Sequence, residues 1–91
     1  MAFVLRTRRG SRIDSEAIAS RGVALTRYEA AWHGLRGSDD WAVALYECPG
    51  ITDPDAAVET VSTGGGLILE HRDSRIDEVQ IRELRRRLEG K

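Results

Sequence analysis

The chain has little cysteine, since Cys48 is the only one among its 91 residues. A single thiol cannot form a disulfide within a monomer, so packing has to stabilise the fold. Its acidic neighbour, Glu47, is expected to raise the pKa of the thiol and not to lower it. The sequence therefore favours an inert, reduced cysteine.

Long apolar runs are absent as well. No run approaches the roughly 20 apolar residues that cross a bilayer, and Arg6, Arg8 and Arg9 follow a few apolar residues, which reverses the order of a secretory signal. No membrane partner and a cytoplasmic location are therefore expected. With 41% hydrophobic residues, residues 1–91 fit a single small globular domain, which buries only about 60–65% of its unfolded surface.

Convergent ligands and catalytic groups are also missing. His33, His71 and Cys48 lack the short pair spacing of metal ligands, so neither a metal nor a cofactor is expected. The glycines at 64–66 follow a helix and precede a strand, the reverse of a phosphate loop, and indicate a flexible connection or a bulge. The spacing of the polar residues does not indicate a nucleophile, a base and an orienting group that could act together, so no catalytic residue is assigned.

One tetrapeptide occurs twice, as Ser11-Arg12-Ile13-Asp14 and as Ser74-Arg75-Ile76-Asp77. Each copy follows a strand-like run and precedes helix-like periodicity. The serine can cap free helical N–H groups, and the aspartate three residues later lies near the positive end of the helix dipole. The repeat predicts two strand-to-helix junctions.

The remaining pattern predicts alternating strands and helices. Strands are predicted at 2–8, 41–48 and 67–70, and helices at 12–20, 23–35, 54–61 and 75–89. Gly22 is placed in a left-handed position between the first two helices. The result is an α/β or α+β fold: a small three- to four-stranded sheet with helices packed mainly on one face and an amphipathic C-terminal helix. If residues 25–35 instead form a hairpin with the next strand, a ferredoxin-like plan results.

Charge is distributed unevenly along a chain of net charge −1. Residues 1–37 hold seven arginines and three acids, whereas residues 38–74 hold eight acids and one arginine. Exposed charge of one sign attracts partners of the other. The middle of the chain is therefore predicted to form an acidic contact surface that contains Asp39, Asp40, Asp53 and Asp55.

The predicted C-terminal helix is apolar over about 200° of its circumference, at about 100° per residue. One face of a small sheet cannot cover so wide an arc. The pattern predicts a protein interface, in a homodimer or against a partner protein, formed by Ile76, Val79, Ile81, Leu84 and Leu88.

Three functions agree with these observations. A non-enzymatic protein–protein interaction module, such as an adaptor, inhibitor or accessory subunit, accounts best for the wide apolar helix and the small core. A small DNA-binding regulator is the alternative, because residues 15–34 imitate a helix-turn-helix, although the acidic middle of the chain would repel phosphate. An enzyme whose site forms between subunits, around His71, is the third.

Overall fold

The computed structural model describes residues 1–75 and 86–88, and residues 1–73 contain six elements of secondary structure. In chain order they are β1 (Ala2–Arg9), β2 (Arg12–Ile18), α1 (Arg21–Leu35), β3 (Trp41–Cys48), α2 (Pro54–Ser62) and β4 (Leu67–Asp73). The strands form one antiparallel sheet in the order β2-β1-β3-β4. The predicted α+β class, with a sheet of up to four strands, is confirmed.

A β-hairpin occupies the region where the first tetrapeptide predicts a helix. The whole of β2 pairs with β1, and the chain turns through Gly10, whose φ of 61° suits the first position of a two-residue hairpin loop. The predicted helix over 12–20 is wrong, because pairing with β1 outweighs the helical spacing of a few apolar residues. Without that helix, residues 15–34 do not form a helix-turn-helix.

The longer helix, α1, begins at a serine cap and not after Gly22. The Ser20 Oγ accepts a hydrogen bond from the Val23 N–H at 3.5 Å, and the backbone of Ser20 is extended as an N-cap requires. Gly22 lies within the first turn and its φ is not positive, so the predicted break there is wrong. The helix predicted over 23–35 is confirmed, and the hairpin over 25–35, with its ferredoxin-like plan, is not observed.

Each face of the sheet carries its own core, because side chains alternate between the faces along a strand. The core under α1 consists of Phe3, Leu5, Ile18, Ala24, Tyr28, Trp41, Val43 and Leu45. The core under α2 consists of Ala2, Val4, Cys48, Ala57 and Val61. The two helices therefore pack on opposite faces of the sheet, whereas the sequence predicts that the helices pack mainly on one face. Within the described part of the chain, no helix is long and apolar enough to span a bilayer.

The start of α2 agrees with its sequence signals. The Asp53 carboxylate accepts a hydrogen bond from the Asp55 N–H at 3.4 Å, and Pro54 begins the helix. The predicted helix start is therefore confirmed.

Replacing Asp53 with alanine should lower the free energy of unfolding by about 1 kcal/mol, because the cap satisfies a helical N–H that is otherwise left unpaired. Urea denaturation followed by circular dichroism measures the loss. The control is Asp39→Ala, which removes an exposed carboxylate outside the helices and should change stability by less than about 0.5 kcal/mol. Equal losses in the two variants would contradict the capping role.

The three glycines after α2 form a hydrogen-bonded helix end and not the flexible connection or bulge that the sequence suggests. The Gly64 N–H donates to the Val61 carbonyl at 3.1 Å, and the Gly65 N–H donates to the Thr60 carbonyl at 2.8 Å. Gly64 and Gly66 have φ values of 93° and 86°, which residues with side chains disfavour. The run thus ends the helix and directs the chain into β4.

The second tetrapeptide follows β4, as predicted for the last junction. The Ser74 Oγ accepts a hydrogen bond from the Trp41 N–H at 3.4 Å, which ties the end of β4 to the start of β3. Most of the predicted helix over 75–89 lies outside the described residues, and so do the interface residues Ile76, Val79, Ile81 and Leu84. Leu88 is described and is 80% exposed. The interface stays a prediction.

Candidate functional site

The half of the sheet that α2 leaves uncovered carries a depression above β3. The strand register places Arg6 of β1, Ala44 of β3 and His71 of β4 side by side in one row. Neighbouring strands lie about 4.8 Å apart, so the Cα atoms of Arg6 and His71 are separated by about 10 Å. Among the described residues, only the Ala44 methyl group lies between them in this row, which leaves room above it for another molecule.

The depression continues along β3 into the next row, where Ala42 lies between Arg8 and Asp73. Its volume is about 210 Å³, and Tyr46 contributes to its lining. Tyr46 also packs against the core under α2, so the depression ends at that core. We call this feature, with Ala42 and Ala44 as its floor, the alanine trough.

The two arginines of the trough differ in their partners. Arg8 Nη1 donates hydrogen bonds to Asp40 Oδ2 and to the Gly10 carbonyl, both at 3.0 Å. The hydrogen bond from the Arg8 guanidinium, reinforced by its charge, holds the pKa of Asp40 below its ordinary value. Arg6 is half-buried and forms neither an ion pair nor a side-chain hydrogen bond with any described residue. Arg6 therefore supplies the uncompensated positive charge of the trough.

His71 forms the wall opposite Arg6. Its Nε2 lies 3.8 Å from Asp73 Oδ2, and an imidazole can both donate and accept hydrogen bonds. The hydroxyl group in this row belongs to Ser15, which pairs with Arg6 on the far side from His71. Three strand spacings, about 14 Å, separate the Cα atoms of Ser15 and His71, so the row does not form a nucleophile–base pair.

The outer edge of β4 is a second candidate surface. β4 is the last strand of the described sheet, so one side of its backbone faces away from β3. Leu67 and Ile68, at the start of the strand, are 58% and 62% exposed. Charged residues, which protect sheet edges from unwanted pairing, occupy only the second half of the strand. The first half is an unprotected apolar edge.

A β-bulge interrupts the pairing of β4 with β3 at Leu69. The pairing of β4 shifts between Leu45 and Tyr46, which lie opposite Glu70 and Ile68, so Leu69 is the extra residue. Leu69 packs against the core under α1. Its neighbour Ile68 remains outside both cores, available for contact with another molecule.

The four acids predicted to form one contact surface lie in two places. Asp39 and Asp40 precede β3, whereas Asp53 and Asp55 flank the start of α2. β3, about 25 Å long, lies between the pairs. All four side chains are exposed, and Asp40 is paired with Arg8. The structure therefore presents two small acidic groups and does not bring them together.

Cys48 lies in the core under α2 and is 1% exposed. Burial raises the pKa of its thiol, and Sγ lies 3.9 Å from the Ala57 carbonyl. A protonated, inaccessible thiol is a packing residue, which agrees with the expected inertness. Among the described residues, no three histidine, cysteine, aspartate or glutamate side chains are grouped closely enough to hold a metal ion.

The sequence alone indicates His71 as a candidate site residue, but it indicates neither Arg6 nor the β4 edge. Alternation in β1 does place Arg6 on the same face as Val4, which is a usable signal that this face turns from apolar to basic along the strand. Comparisons with protein-family models, with curated proteins and with solved structures find no match for this chain. The trough and the β4 edge are therefore the two features of the described structure that bear on function.

Proposed function

We propose that this chain is a non-enzymatic protein–protein interaction module that docks through the outer edge of β4. The observation that supports this proposal is the exposure of Leu67 and Ile68, at 58% and 62%, on a strand whose outer side pairs with no other strand of the described sheet. An added strand hydrogen-bonds to the free backbone groups of such an edge and covers its apolar side chains.

A second copy of the chain is the partner that fits this edge. In an antiparallel pairing centred on Ile68, each Ile68 lies opposite its own copy, Leu67 lies opposite Leu69, and Glu70 lies opposite Gly66. Apolar residues then meet apolar residues, and no like charges are opposed. Pairing centred on Glu70 would instead oppose two carboxylates, so the apolar register is favoured.

Light scattering tests the proposal with Ile68→Lys and a matched control. The wild-type chain should show a mass above its monomer mass of 10.1 kDa. The Ile68→Lys variant should keep its circular dichroism spectrum and weaken association by at least about tenfold, because an unpaired ammonium would be buried at the contact. Ile13→Lys is the control, because Ile13 is also exposed but lies on β2 at the opposite edge of the sheet.

The control should associate as the wild-type chain does. A wild-type chain that stays monomeric over the accessible concentrations would contradict the proposal. So would a folded Ile68→Lys variant that associates normally, or equal weakening by the two lysine substitutions.

A further inference from the structure

We propose that the alanine trough binds a small ligand through an oxyanion group, a carboxylate or a phosphate, that lies above Ala44 and is held by Arg6. His71 bounds the same space from the opposite wall. The proposal concerns a different surface from the β4 edge and does not depend on self-association. It rests on the row in which Arg6, Ala44 and His71 lie side by side.

Arg6 and Arg8 differ in whether a carboxylate balances their charge. The trough contains two arginines, but the charge of Arg8 is compensated by Asp40 at 3.0 Å. Arg6 has no such carboxylate among the described residues. A guanidinium that is half-buried and unpaired is suited to bind a carboxylate or phosphate with two parallel hydrogen bonds.

The nearby acids lie towards the Ala42 end of the trough. Asp73 lies in the row of Ala42, with its Oδ2 3.8 Å from His71 Nε2, and Asp40 is bound to Arg8. Their negative charge disfavours an anion there. The row of Ala44 contains no acid, so the anion is placed above Ala44 on the side of Arg6.

The volume of the trough limits the size of the ligand. A volume of about 210 Å³ is below the range of about 300–1,000 Å³ that drug-sized ligands occupy. The two alanine methyl groups leave this space open, and Tyr46 bounds it where α2 begins to cover the sheet. The ligand class is therefore a small carboxylic acid or a small phosphate ester, and not a nucleotide.

Nuclear magnetic resonance of the full chain tests binding directly, with acetate and inorganic phosphate as separate probes at constant pH and ionic strength and with chloride as the reference salt. Binding in the trough should give saturable shifts that are largest at the backbone amides of Ala42, Ala44 and His71. The probe with the lower dissociation constant identifies the oxyanion. Shifts that rise linearly without saturation for both probes would overturn the proposal.

Two substitutions distinguish specific binding in the trough from general electrostatic attraction to the positively charged residues. Arg6→Gln should weaken binding of the better probe by at least about tenfold, as expected for the loss of a charge-assisted hydrogen bond. Arg12→Gln is the matched control, because Arg12 has a highly exposed side chain on β2 and lies outside the trough lining. Its affinity should equal that of the wild-type chain, and equal weakening by both substitutions would overturn the proposal.

A third variant keeps every charge and fills the space. Ala44→Leu places a larger side chain beneath the proposed anion and should also weaken binding by at least about tenfold, since overfilled sites exclude ligands sterically. The amide spectrum establishes that each variant is folded. If Arg6→Gln does not fold, Ala44→Leu decides alone, and a folded Ala44→Leu chain that binds the probe as tightly as the wild-type chain would overturn the proposal.

Discussion

Replacing Trp41 with alanine is expected to lower the free energy of unfolding by about 3–5 kcal/mol. Trp41 is 1% exposed and is the largest fully buried side chain among the described residues. It belongs to the core under α1, where Phe3 and Tyr28 also lie. Its removal would leave a cavity between the sheet and the helix that the neighbouring side chains fill only partly. Small domains have about 5–15 kcal/mol of stability in total, so the loss is large.

Trp32 provides the matched control for this prediction. It lies on α1 and is only partly buried, with Arg72 Cζ 3.9 Å from its ring centroid. Trp32→Ala should cost less than about 2 kcal/mol, because part of its surface already contacts solvent. Urea denaturation followed by far-ultraviolet circular dichroism measures both variants without depending on tryptophan fluorescence. Similar losses for the two substitutions would contradict the assignment of Trp41 as the central core residue.

Gly66→Ala is expected to lower the free energy of unfolding by about 2–5 kcal/mol, for two reasons that add. The φ of Gly66 is 86°, a left-handed conformation in which a Cβ atom is strained. That Cβ would also lie 3.3 Å from Val61 Cγ2 and 3.6 Å from Cys48 Sγ, in the core under α2. The contact with Val61 is closer than an ordinary van der Waals contact, so Val61 would have to shift by a few tenths of an ångström to admit the methyl group.

Gly64→Ala distinguishes the cost of backbone strain from the cost of crowding in the core. Its φ of 93° is equally unfavourable, but nothing lies within 4 Å of a Cβ at this position. We expect a loss of about 1–2 kcal/mol from backbone strain alone. Chemical denaturation of both variants gives the difference, which measures the cost of crowding at Gly66. Equal stability of the two variants would show that crowding contributes nothing.

Elements with strong local signals are predictable from this sequence. The central strand over 41–48 follows from an apolar run that ends at Pro49-Gly50, and α2 follows from an aspartate cap and a proline at its first position. Both signals lie within a few residues of the element that they define. The predicted helix over 12–20 fails because the strand partner of that segment, β1, competes with a weak local preference.

The candidate sites are harder to predict, because they depend on register. Arg6, Ala44 and His71 are separated by 38 and 27 positions along the chain, and only strand pairing puts them in one row. A slip of one residue would move a side chain to the other face of the sheet. The bulge at Leu69 changes the alternation of β4 once more. Neither the strand register nor the position of the bulge can be read from the composition or from the spacing of residues along the chain.

Alternation along β3 has a consequence for how this protein can change over evolutionary time. Trp41, Val43 and Leu45 belong to the core under α1, whereas Ala42 and Ala44 form the floor of the trough on the opposite face. We therefore expect neighbouring positions of one strand to be constrained differently, Trp41, Val43 and Leu45 by folding and Ala42 and Ala44 by the shape of the trough. If the trough binds a ligand as proposed, substitutions at the two alanines can change ligand preference while the core under α1 keeps its side chains, so one strand can diverge in recognition without losing its fold.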